Sequence, residues 1–355
     1  MPGGRAPVHI GPVSVADLPN VPGSDRARVR RAGAAPMRFV IYGAGAVGAT
    51  LGACLHEAGH DVVLVARDAH YEALASDGLV FQTPERTATL RIPVVDRPAA
   101  LGLGRDDLVV LAMKSHQTVT ALADLSEVAP LEIAVACAQN GVDNERAALR
   151  LFPNVYGVCV MCQAVHLRPG VVSVAGWPTI GIFEVGRYPS GVDACAERLS
   201  AALDGSSCRS AVRPDVMAWK YAKLLINLVN AVTALLGEPG SGRLEELARA
   251  EGVACLEAAG IRHVDAAAWD ERYRGLRRHP AASDPSAGST WQSLARRTGS
   301  IETDYLNGEI VLLGRLFGVP TPINAHLQRL TAEVARRGDP PGGFSEEELL
   351  ERFGA

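Results

Sequence analysis

Short apolar runs and helical stretches alternate along the chain from residue 37 onward. The apolar runs are "RFVIYG", "DVVLVA", "LVVLAM", "EIAVAC" and "VYGVCVM". Such alternation predicts βαβ units and a parallel sheet. Two later runs, "VVSVAG" and "PTIGIFEVG", are punctuated by glycine and proline, and we expect them to join the same sheet as antiparallel strands.

Long helical periods replace strands from about residue 208. They are "DVMAWKYAKLLINLVNAVTALLG", "RLEELARAEGVACLEAAG", "IETDYLNGEIVLLGRLFG" and "INAHLQRLTAEVARRG". We therefore predict an α/β fold, with a doubly wound sheet domain at residues 37–207 and an all-α C-terminal domain at residues 208–338. A short acidic tail, residues 339–355, is expected to be peripheral.

The N-terminal segment, residues 1–36, is rich in Pro, Gly, Arg and Ala and has no apolar period. This composition is typical of disorder. An organelle transit peptide is the alternative, and Asp17 and Asp25 argue against it because such peptides are poor in acidic residues.

Composition excludes several classes of partner. The net charge is -4 with both signs interspersed, so we expect no nucleic acid and no anionic membrane as partner. No apolar run approaches the roughly 20 residues that cross a bilayer, and we expect a cytoplasmic protein. The seven cysteines are scattered through apolar segments, which indicates reduced thiols and no disulfide framework.

One cysteine pair, Cys159 and Cys162 with His166 nearby, has a spacing that can bind zinc or exchange thiols. The surrounding segment has the composition of a strand, and residues three apart on a strand point to opposite faces. No second ligand pair with zinc spacing occurs. We therefore interpret these cysteines as buried strand residues and predict no metal site.

Glycines directly follow the first predicted strand and open a helix. Gly43, Gly45 and Gly48 form G-x-G-x-x-G, in which the glycines allow a tight turn, close approach of a pyrophosphate and close packing of helix on strand. This context favours a Rossmann-type dinucleotide site over a merely structural turn. The predicted cofactor-binding loop comprises Gly43, Ala44, Gly45, Ala46, Val47 and Gly48.

The second strand ends in Arg67, where an NAD site usually has a carboxylate for the ribose 2′-hydroxyl. A guanidinium matches the geometry and charge of a phosphate, so we predict NADPH (NADP+) as the cofactor. Two observations keep alternatives open. Asp68 follows directly, and Arg67 could be a solvated loop cation.

Polar residues follow the third and fourth strands as well. Lys114 and Gln117 lie after one strand, and Asn140 lies after the next. Each could cap a helix or form a turn. Because the ends of successive parallel strands meet at one edge of a doubly wound sheet, where ligands bind, we favour a role in cofactor binding.

The first long helix carries a polar stripe. Lys223, Asn227 and Asn230 are spaced four and three apart, so they share an arc of roughly 60° on one face among apolar neighbours. Such a stripe is either a ligand wall or a satisfied core network. The lysine favours the ligand wall, since burial lowers the pKa of a lysine toward the range of proton transfer.

Further along, Glu302 lies one turn before Leu306 on the apolar stripe of a predicted helix, so we expect its carboxylate to point inward. The preceding segment, "GSTWQSLARRTGS", offers hydroxyl groups from Ser289, Thr290 and Ser293.

Together these motifs resemble the ketopantoate reductase family, the 2-dehydropantoate 2-reductases. The resemblance rests on "GAGAVG", "MKSHQ", "QNG", "KLLIN", "GSTWQSL" and "IETDYLNGEI…GVPTPIN", which span residue 37 to about residue 338. It implies a Rossmann domain joined to a helical domain and NADPH-dependent reduction of 2-dehydropantoate to pantoate, a step of pantothenate and coenzyme A biosynthesis. A homodimer is implied by the resemblance alone.

The resemblance also implies roles for single residues. Lys223 corresponds to the general acid, Asn140 and Asn227 to polar residues of the active site, and Glu302 to the substrate-binding carboxylate. Arg67, Lys114 and Gln117 correspond to cofactor contacts, and Ser289, Thr290 and Asn230 to substrate contacts. Two departures concern the substrate: Thr290 replaces the second serine of a Ser-Ser pair, and Asn230 comes one residue early.

Two rival functions remain. One is an NADPH-dependent reductase of another 2-oxo or β-keto acid on the same architecture, which only substrate panels can separate. The other is a non-catalytic NADPH-binding sensor. The set of Lys223, Asn227 and Glu302 argues against the sensor, because cofactor binding alone does not need it.

Overall fold

Strands and helices alternate in the first part of the described chain, and the second part contains helices without strands. The computed structural model describes residues 37–237, 242–276, 288–297, 299 and 301–354. The predicted disorder of residues 1–36 lies outside these residues. The strands are β1 (Arg38–Tyr42), β2 (Asp61–Val65), β3 (Leu79–Gln82), β4 (Thr87–Leu90), β5 (Val94–Val95), β6 (Asp107–Leu111), β7 (Ala134–Cys137), β8 (Asn154–Cys162), β9 (Ala164–Arg168), β10 (Val171–Val174), β11 (Gly181–Arg187) and β12 (Arg209–Val212).

The helices complete the list of elements. They are α1 (Ala46–Glu57), α2 (Asp68–Ser76), α3 (Thr118–Ser126), α4 (Asn144–Leu149), α5 (Ala194–Asp204), α6 (Val216–Asn227), α7 (Val229–Leu236), α8 (Arg243–Ala258), α9 (Ala266–Tyr273), α10 (Ser289–Ala295), α11 (Asn307–Phe317), α12 (Pro322–Arg337) and α13 (Glu346–Phe353). No helix in these ranges is both long and apolar enough to cross a membrane.

The main sheet has the order β12-β11-β8-β7-β6-β1-β2-β5. The six strands from β5 to β8 are mutually parallel, and the chain order reverses between β1 and β6, as in a doubly wound dinucleotide-binding fold. The predicted fold class is confirmed. The strand β11 pairs antiparallel with β8, also as predicted, and β12 runs parallel to β11 at the edge.

The prediction for "VVSVAG" was wrong. Its strand, β10, belongs to a separate sheet of order β4-β3-β10-β9. Along β10, Val172 and Val174 are buried, whereas Val171 and Ser173 are partly exposed. This alternation suits a sheet with one solvated face, whereas the central strands of the main sheet are buried on both faces.

Helix α6 connects the sheet to the helical part. It begins just after β12, which extends the sheet beyond residue 207, and Val216 in its first turn packs on two glycines that face each other across β8 and β11. A Cβ atom at Gly157 would lie 3.1 Å from Val216 Cγ1, and one at Gly186 would lie 2.8 Å from its Cβ. The glycines therefore let α6 lie directly on the sheet. The division into domains stays a prediction.

The helical part has its own core, formed by α7, α8, α11 and α12. The single long helix predicted for "DVMAWKYAKLLINLVNAVTALLG" is divided at Leu228 into α6 and α7. There, the side chain amide of Asn307 donates to the carbonyl of Leu228 at 3.1 Å. The acidic tail is not peripheral: α13 buries Leu349 and Phe353 in this core, because its apolar residues recur at helical spacing.

Candidate active site

A cavity of about 820 Å³ lies at the carboxyl edge of the parallel strands, between the sheet and the helical part. Its walls include the glycine loop, the ends of β2, β6 and β7, and residues of α6, α7 and α10. Most of the predicted site residues line it: Gly43, Ala44, Gly45, Ala46, Val47, Arg67, Lys114, Gln117, Asn140, Lys223, Asn227, Asn230, Ser289 and Glu302. Gly48 and Thr290 lie outside its lining.

The glycine loop has the geometry that a pyrophosphate needs. Gly43 has φ +99°, and a Cβ atom there would lie 2.6 Å from the amide nitrogen of Met113. At Gly48 a Cβ atom would lie 2.1 Å from the Gly43 carbonyl oxygen, so this glycine serves packing rather than the cavity wall. Gly45 faces open space, and α1 begins after it without a side-chain cap. The first amides of α1 are thus available to an anion.

Arg67 lies at the end of β2, where it is exposed and lines the cavity beside Asp68. Within the described residues, its guanidinium forms no hydrogen bond and no ion pair. Asp68 has φ +54°, a left-handed conformation that turns the chain into α2. Arg67 and Asp68, the two candidates for recognition of the ribose, therefore both line the cavity.

Glu302 is buried and bonded to the loop that follows β6. It accepts hydrogen bonds from Lys114 Nζ at 2.6 Å, from the Ser115 amide at 3.0 Å and from Ser115 Oγ at 3.2 Å. Burial by itself raises the pKa of Glu302, but Lys114 and the Ser115 donors outweigh it and hold the pKa below its ordinary value. Lys114, predicted to contact the cofactor, is thus also the ion-pair partner of Glu302.

The local structure at Glu302 corrects one prediction. Glu302 precedes a 3₁₀ turn, Thr303–Tyr305, and α11 begins only at Asn307. Its inward orientation therefore arises from the ion pair with Lys114 and not from the apolar stripe of an α-helix.

The polar stripe of the first long helix faces the cavity. Lys223 is partly buried, and burial lowers the pKa of its ammonium group. No carboxylate pairs with Lys223 in the described part of the chain. Asn227 Nδ2 is buried without a hydrogen-bond partner. Asn230 lies against α10: a Cβ atom at Gly288 would be 2.8 Å from Asn230 Oδ1. An orphaned donor in a cavity wall fits a ligand better than a satisfied core network.

The two neighbouring hydroxyl residues of α10 differ in position. Ser289 lines the cavity, and its Oγ is buried without a partner. Thr290 is buried away from the cavity, so the structure does not bring it to the predicted substrate site. Side chains on consecutive helical residues point about 100° apart, which explains why only one of the pair reaches the cavity.

Sequence reasoning missed a buried ion pair beneath the site. Lys220, one turn before Lys223, bonds to the carboxylate of Glu145 and donates to the carbonyl oxygens of Gln139 at 3.0 Å and Cys137 at 3.4 Å. It thereby connects α6 to the segment that leads into Asn140. The signal was available in "WKYAKLL", where a second lysine lies among apolar residues.

The cysteines are free thiols. Cys159 and Cys162 lie on β8 as predicted, and the Cys159 thiol donates to the Trp219 carbonyl at 3.5 Å. His166 bonds through Nδ1 to the Val171 carbonyl at 3.0 Å. Across the described ranges, no cluster of three or more His, Cys, Asp or Glu residues could hold a metal ion.

Two family models match the chain. Residues 39–189 match the model described as ketopantoate reductase PanE/ApbA, and residues 215–335 match its C-terminal counterpart. The 2-dehydropantoate 2-reductase of Pyrococcus horikoshii is 28% identical over 298 residues, which cover 81% of this chain and 94% of that protein.

Solved structures show the same fold. The crystal structure of a PanE/ApbA family ketopantoate reductase from Ralstonia eutropha JMP134 is 26% identical and has a TM-score of 0.70, covering 85% of this chain and 99% of that one. A ternary structure of D-mandelate dehydrogenase with NADH and anilino(oxo)acetate also has a TM-score of 0.70, with the same coverage, at 22% identity. The second likeness concerns the fold alone.

Proposed function

The chain belongs to the ketopantoate reductase family, and from this premise we propose that it reduces 2-dehydropantoate to pantoate with NADPH as the hydride donor. It is an oxidoreductase that acts on CH-OH groups, as its family indicates. One observation carries the proposal: Lys223, which forms no ion pair with any described residue, and the buried polar atoms of Asn227 and Ser289 that have no described partner line the same cavity as the glycine loop.

The cofactor would lie along the carboxyl edge of the sheet. Its pyrophosphate fits the open space at Gly45 and the uncapped start of α1. The guanidinium of Arg67, which has no partner among the described residues, suits a 2′-phosphate, and this favours NADPH over NADH. Gln117 and Asn140 line the cavity further along this edge. When bound, the reduced nicotinamide supplies the hydride.

Lys223 is the proposed general acid. Reduction of a ketone leaves negative charge on its oxygen, and a positioned ammonium group can donate a proton to this oxygen as the charge develops. Burial lowers the pKa of Lys223, which eases proton release. The absence of a paired carboxylate among the described residues leaves the ammonium free to face the substrate. Asn140, at the end of β7, would orient this end of the site.

The remaining polar groups would bind the substrate. Asn227 Nδ2 can donate to a hydroxyl or carbonyl oxygen, and Ser289 Oγ can donate to the carboxylate. Asn230 lies in the same wall. Glu302 is ionised, because Lys114 and Ser115 lower its pKa, and its oxygens would accept from a substrate hydroxyl. Thr290 has no part in this arrangement.

The test is single-turnover hydride transfer by the Lys223→Met variant. We expect the rate to fall about 10²- to 10⁴-fold, the usual contribution of general acid catalysis, while NADPH binding is retained. Arg297→Met, at an exposed residue outside the cavity lining, is the control and should keep the wild-type rate. A Lys223→Met rate within a few fold of wild type would remove Lys223 from this role.

Other 2-oxo acids form the second candidate substrate class. The observation in their favour is the position of Thr290, since only Ser289 of the Ser289–Thr290 pair lines the cavity, where the family resemblance implies that both residues contact the substrate. Steady-state turnover of 2-dehydropantoate, pyruvate, 2-oxoisovalerate and phenylglyoxylate with NADPH and NADH would separate the candidates. Preference for 2-dehydropantoate with NADPH is expected. Tight NADPH binding without turnover of any acid would support the sensor instead.

A further inference from the structure

An arginine outside the proposed catalytic set also lines the cavity. Arg296 follows the last turn of α10, and its side chain is partly buried. The residues Ser289, Gln292, Ser293 and Arg296 recur at helical spacing and all line the cavity, so α10 presents one continuous polar face to it.

The charge of Arg296 is not compensated by the described residues. Its Nε donates to the Gln292 carbonyl at 3.4 Å, and no carboxylate forms an ion pair with it in the described ranges. Burial lowers the pKa of Arg296, with no nearby anion to oppose the effect. Holding an unpaired guanidinium partly out of water is costly, so such a group is better explained by an anionic ligand than by stability of the fold.

Two histidines connect Arg296 to the glycine loop. Gln292, one turn before Arg296, donates through Nε2 to the Ala164 carbonyl at 3.3 Å, so this part of α10 packs against β9, the strand that carries His166. Burial lowers the pKa of His166 to about 4, and the positive charge of Arg296 adds a smaller contribution in the same direction. The ring of His166 lies 4.3 Å from the ring of His70, centroid to centroid. His70 Nε2 in turn bonds to the Ala44 carbonyl at 2.7 Å. Because His166 is neutral near pH 7, the positive charge at this end belongs to Arg296.

The length of α10 separates the proposed binding site of the substrate carboxylate, at Ser289, from Arg296. At the start of the helix, Gly288 contacts Asn230 and Ser289 faces the proposed substrate site. Arg296 is seven residues later, roughly 10 Å along the axis at 1.5 Å per residue. Ser289 and Arg296 therefore line parts of the cavity wall that are well separated along α10.

We propose that Arg296 binds the pyrophosphate of the dinucleotide from the helical side, opposite the glycine loop. This inference rests on the proposed function, since it assumes a nicotinamide dinucleotide in the cavity. It gives α10 two tasks: its first residue binds the substrate, and the residue after its last turn binds the cofactor.

The test is the dissociation constant of each cofactor, measured by calorimetry without substrate. Arg296→Met should weaken the binding of NADPH and of NADH by the same factor, about 10- to 100-fold, because both cofactors contain the pyrophosphate. The dissociation constants of Arg296→Lys should lie between those of the wild type and Arg296→Met, since lysine keeps the positive charge but lacks the planar guanidinium group. Arg297→Met, at the exposed neighbour, should leave both constants unchanged.

Three results would overturn the inference. Weakening of NADPH alone would assign Arg296 to the 2′-phosphate, and an increased KM for the 2-oxo acid with unchanged cofactor constants would assign it to the substrate. Unchanged constants for all ligands would make it structural. In each case wild-type turnover shows that the proposed function itself stands, whereas a wild-type protein that binds neither cofactor would remove both proposals together.

Discussion

Lys220 and Glu145 form an ion pair that is shielded from solvent on both sides, with 2% and 0% of their side chains exposed. The second oxygen of Glu145 has no hydrogen-bond partner. Lys220 lies on α6 and Glu145 on α4, so the pair joins the helix of the proposed general acid to the segment around Asn140.

Removal of one partner should destabilise the fold more than removal of both. Lys220→Met leaves a buried, uncompensated carboxylate, and we expect a loss of about 3–5 kcal/mol in the free energy of unfolding. The double variant Lys220→Met, Glu145→Gln should recover part of this loss. Urea denaturation of Lys220→Met, Glu145→Gln and the double variant gives the interaction energy between the two side chains. Additive effects would show that the pair contributes no interaction energy.

Arg67 should decide cofactor preference. Replacement by alanine removes a charged donor from the proposed 2′-phosphate site, and we expect NADPH to bind about 10- to 100-fold more weakly with NADH little changed. Arg97→Ala, which alters an exposed arginine paired with Asp96, is the matched control. Calorimetry with both cofactors measures the effect. Equal weakening of NADPH and NADH would contradict specific recognition of the 2′-phosphate.

Patterns of neighbouring residues predicted the parallel sheet and the glycine loop well. In β1, β2 and β6 nearly every residue is buried, so an unbroken apolar run is enough to identify the strand. The glycine motif can be recognised locally, because the turn at Gly43, the start of α1 and the contact of Gly48 with the Gly43 carbonyl involve residues within six positions of one another. Arg67, Lys114 and Asn140 follow from the rule that ligands bind where parallel strands end.

Such local patterns did not predict contacts between residues that are far apart in the sequence. The placement of β10 in the second sheet depends on its partner β3, which lies about 90 residues earlier. Glu302 lies 188 residues from its partner Lys114, and Lys220 lies 75 residues from Glu145. The sequence shows a second lysine among apolar residues at Lys220, but local patterns do not identify the carboxylate that pairs with it. Thr290 shows a different limit: sequence gives the hydroxyl, but the rotation of α10 decides which of two adjacent residues faces the cavity.

The pH dependence of hydride transfer should contain the ionisation of Lys223. A general acid must be protonated, so the rate should fall as pH rises through its pKa. Since burial lowers this pKa, the fall should begin below the ordinary value for lysine, about 10.4. Single-turnover rates across the alkaline range would show this limb in the wild type and not in Lys223→Met. If the rate of both proteins falls at the same pH, the fall is caused by the ionisation of a group other than Lys223.

Glu302 should make stability depend on acid pH. Its folded-state pKa lies below the unfolded value, so its contribution is fully present above the unfolded pKa, about 4.3, and is lost as pH falls through the folded pKa. The stability difference between wild type and Glu302→Gln should therefore shrink as pH falls below about 5. Urea denaturation across this range measures it, and Glu347→Gln, at an exposed residue, is the control. A constant difference would contradict the depressed pKa.

Ser289 and Thr290 offer a comparison of adjacent hydroxyl groups on one helix. Ser289→Ala removes the orphaned hydroxyl that faces the cavity, and we expect kcat/KM for the 2-oxo acid to fall about 10- to 100-fold, the effect of a lost hydrogen bond to a carboxylate. Thr290→Val keeps the shape of a buried side chain outside the cavity, so it should change stability only. Steady-state kinetics at saturating NADPH, with thermal unfolding of both variants, gives the comparison. If Thr290→Val lowers kcat/KM as much as Ser289→Ala, the hydroxyl of Ser289 has no special role in binding the carboxylate.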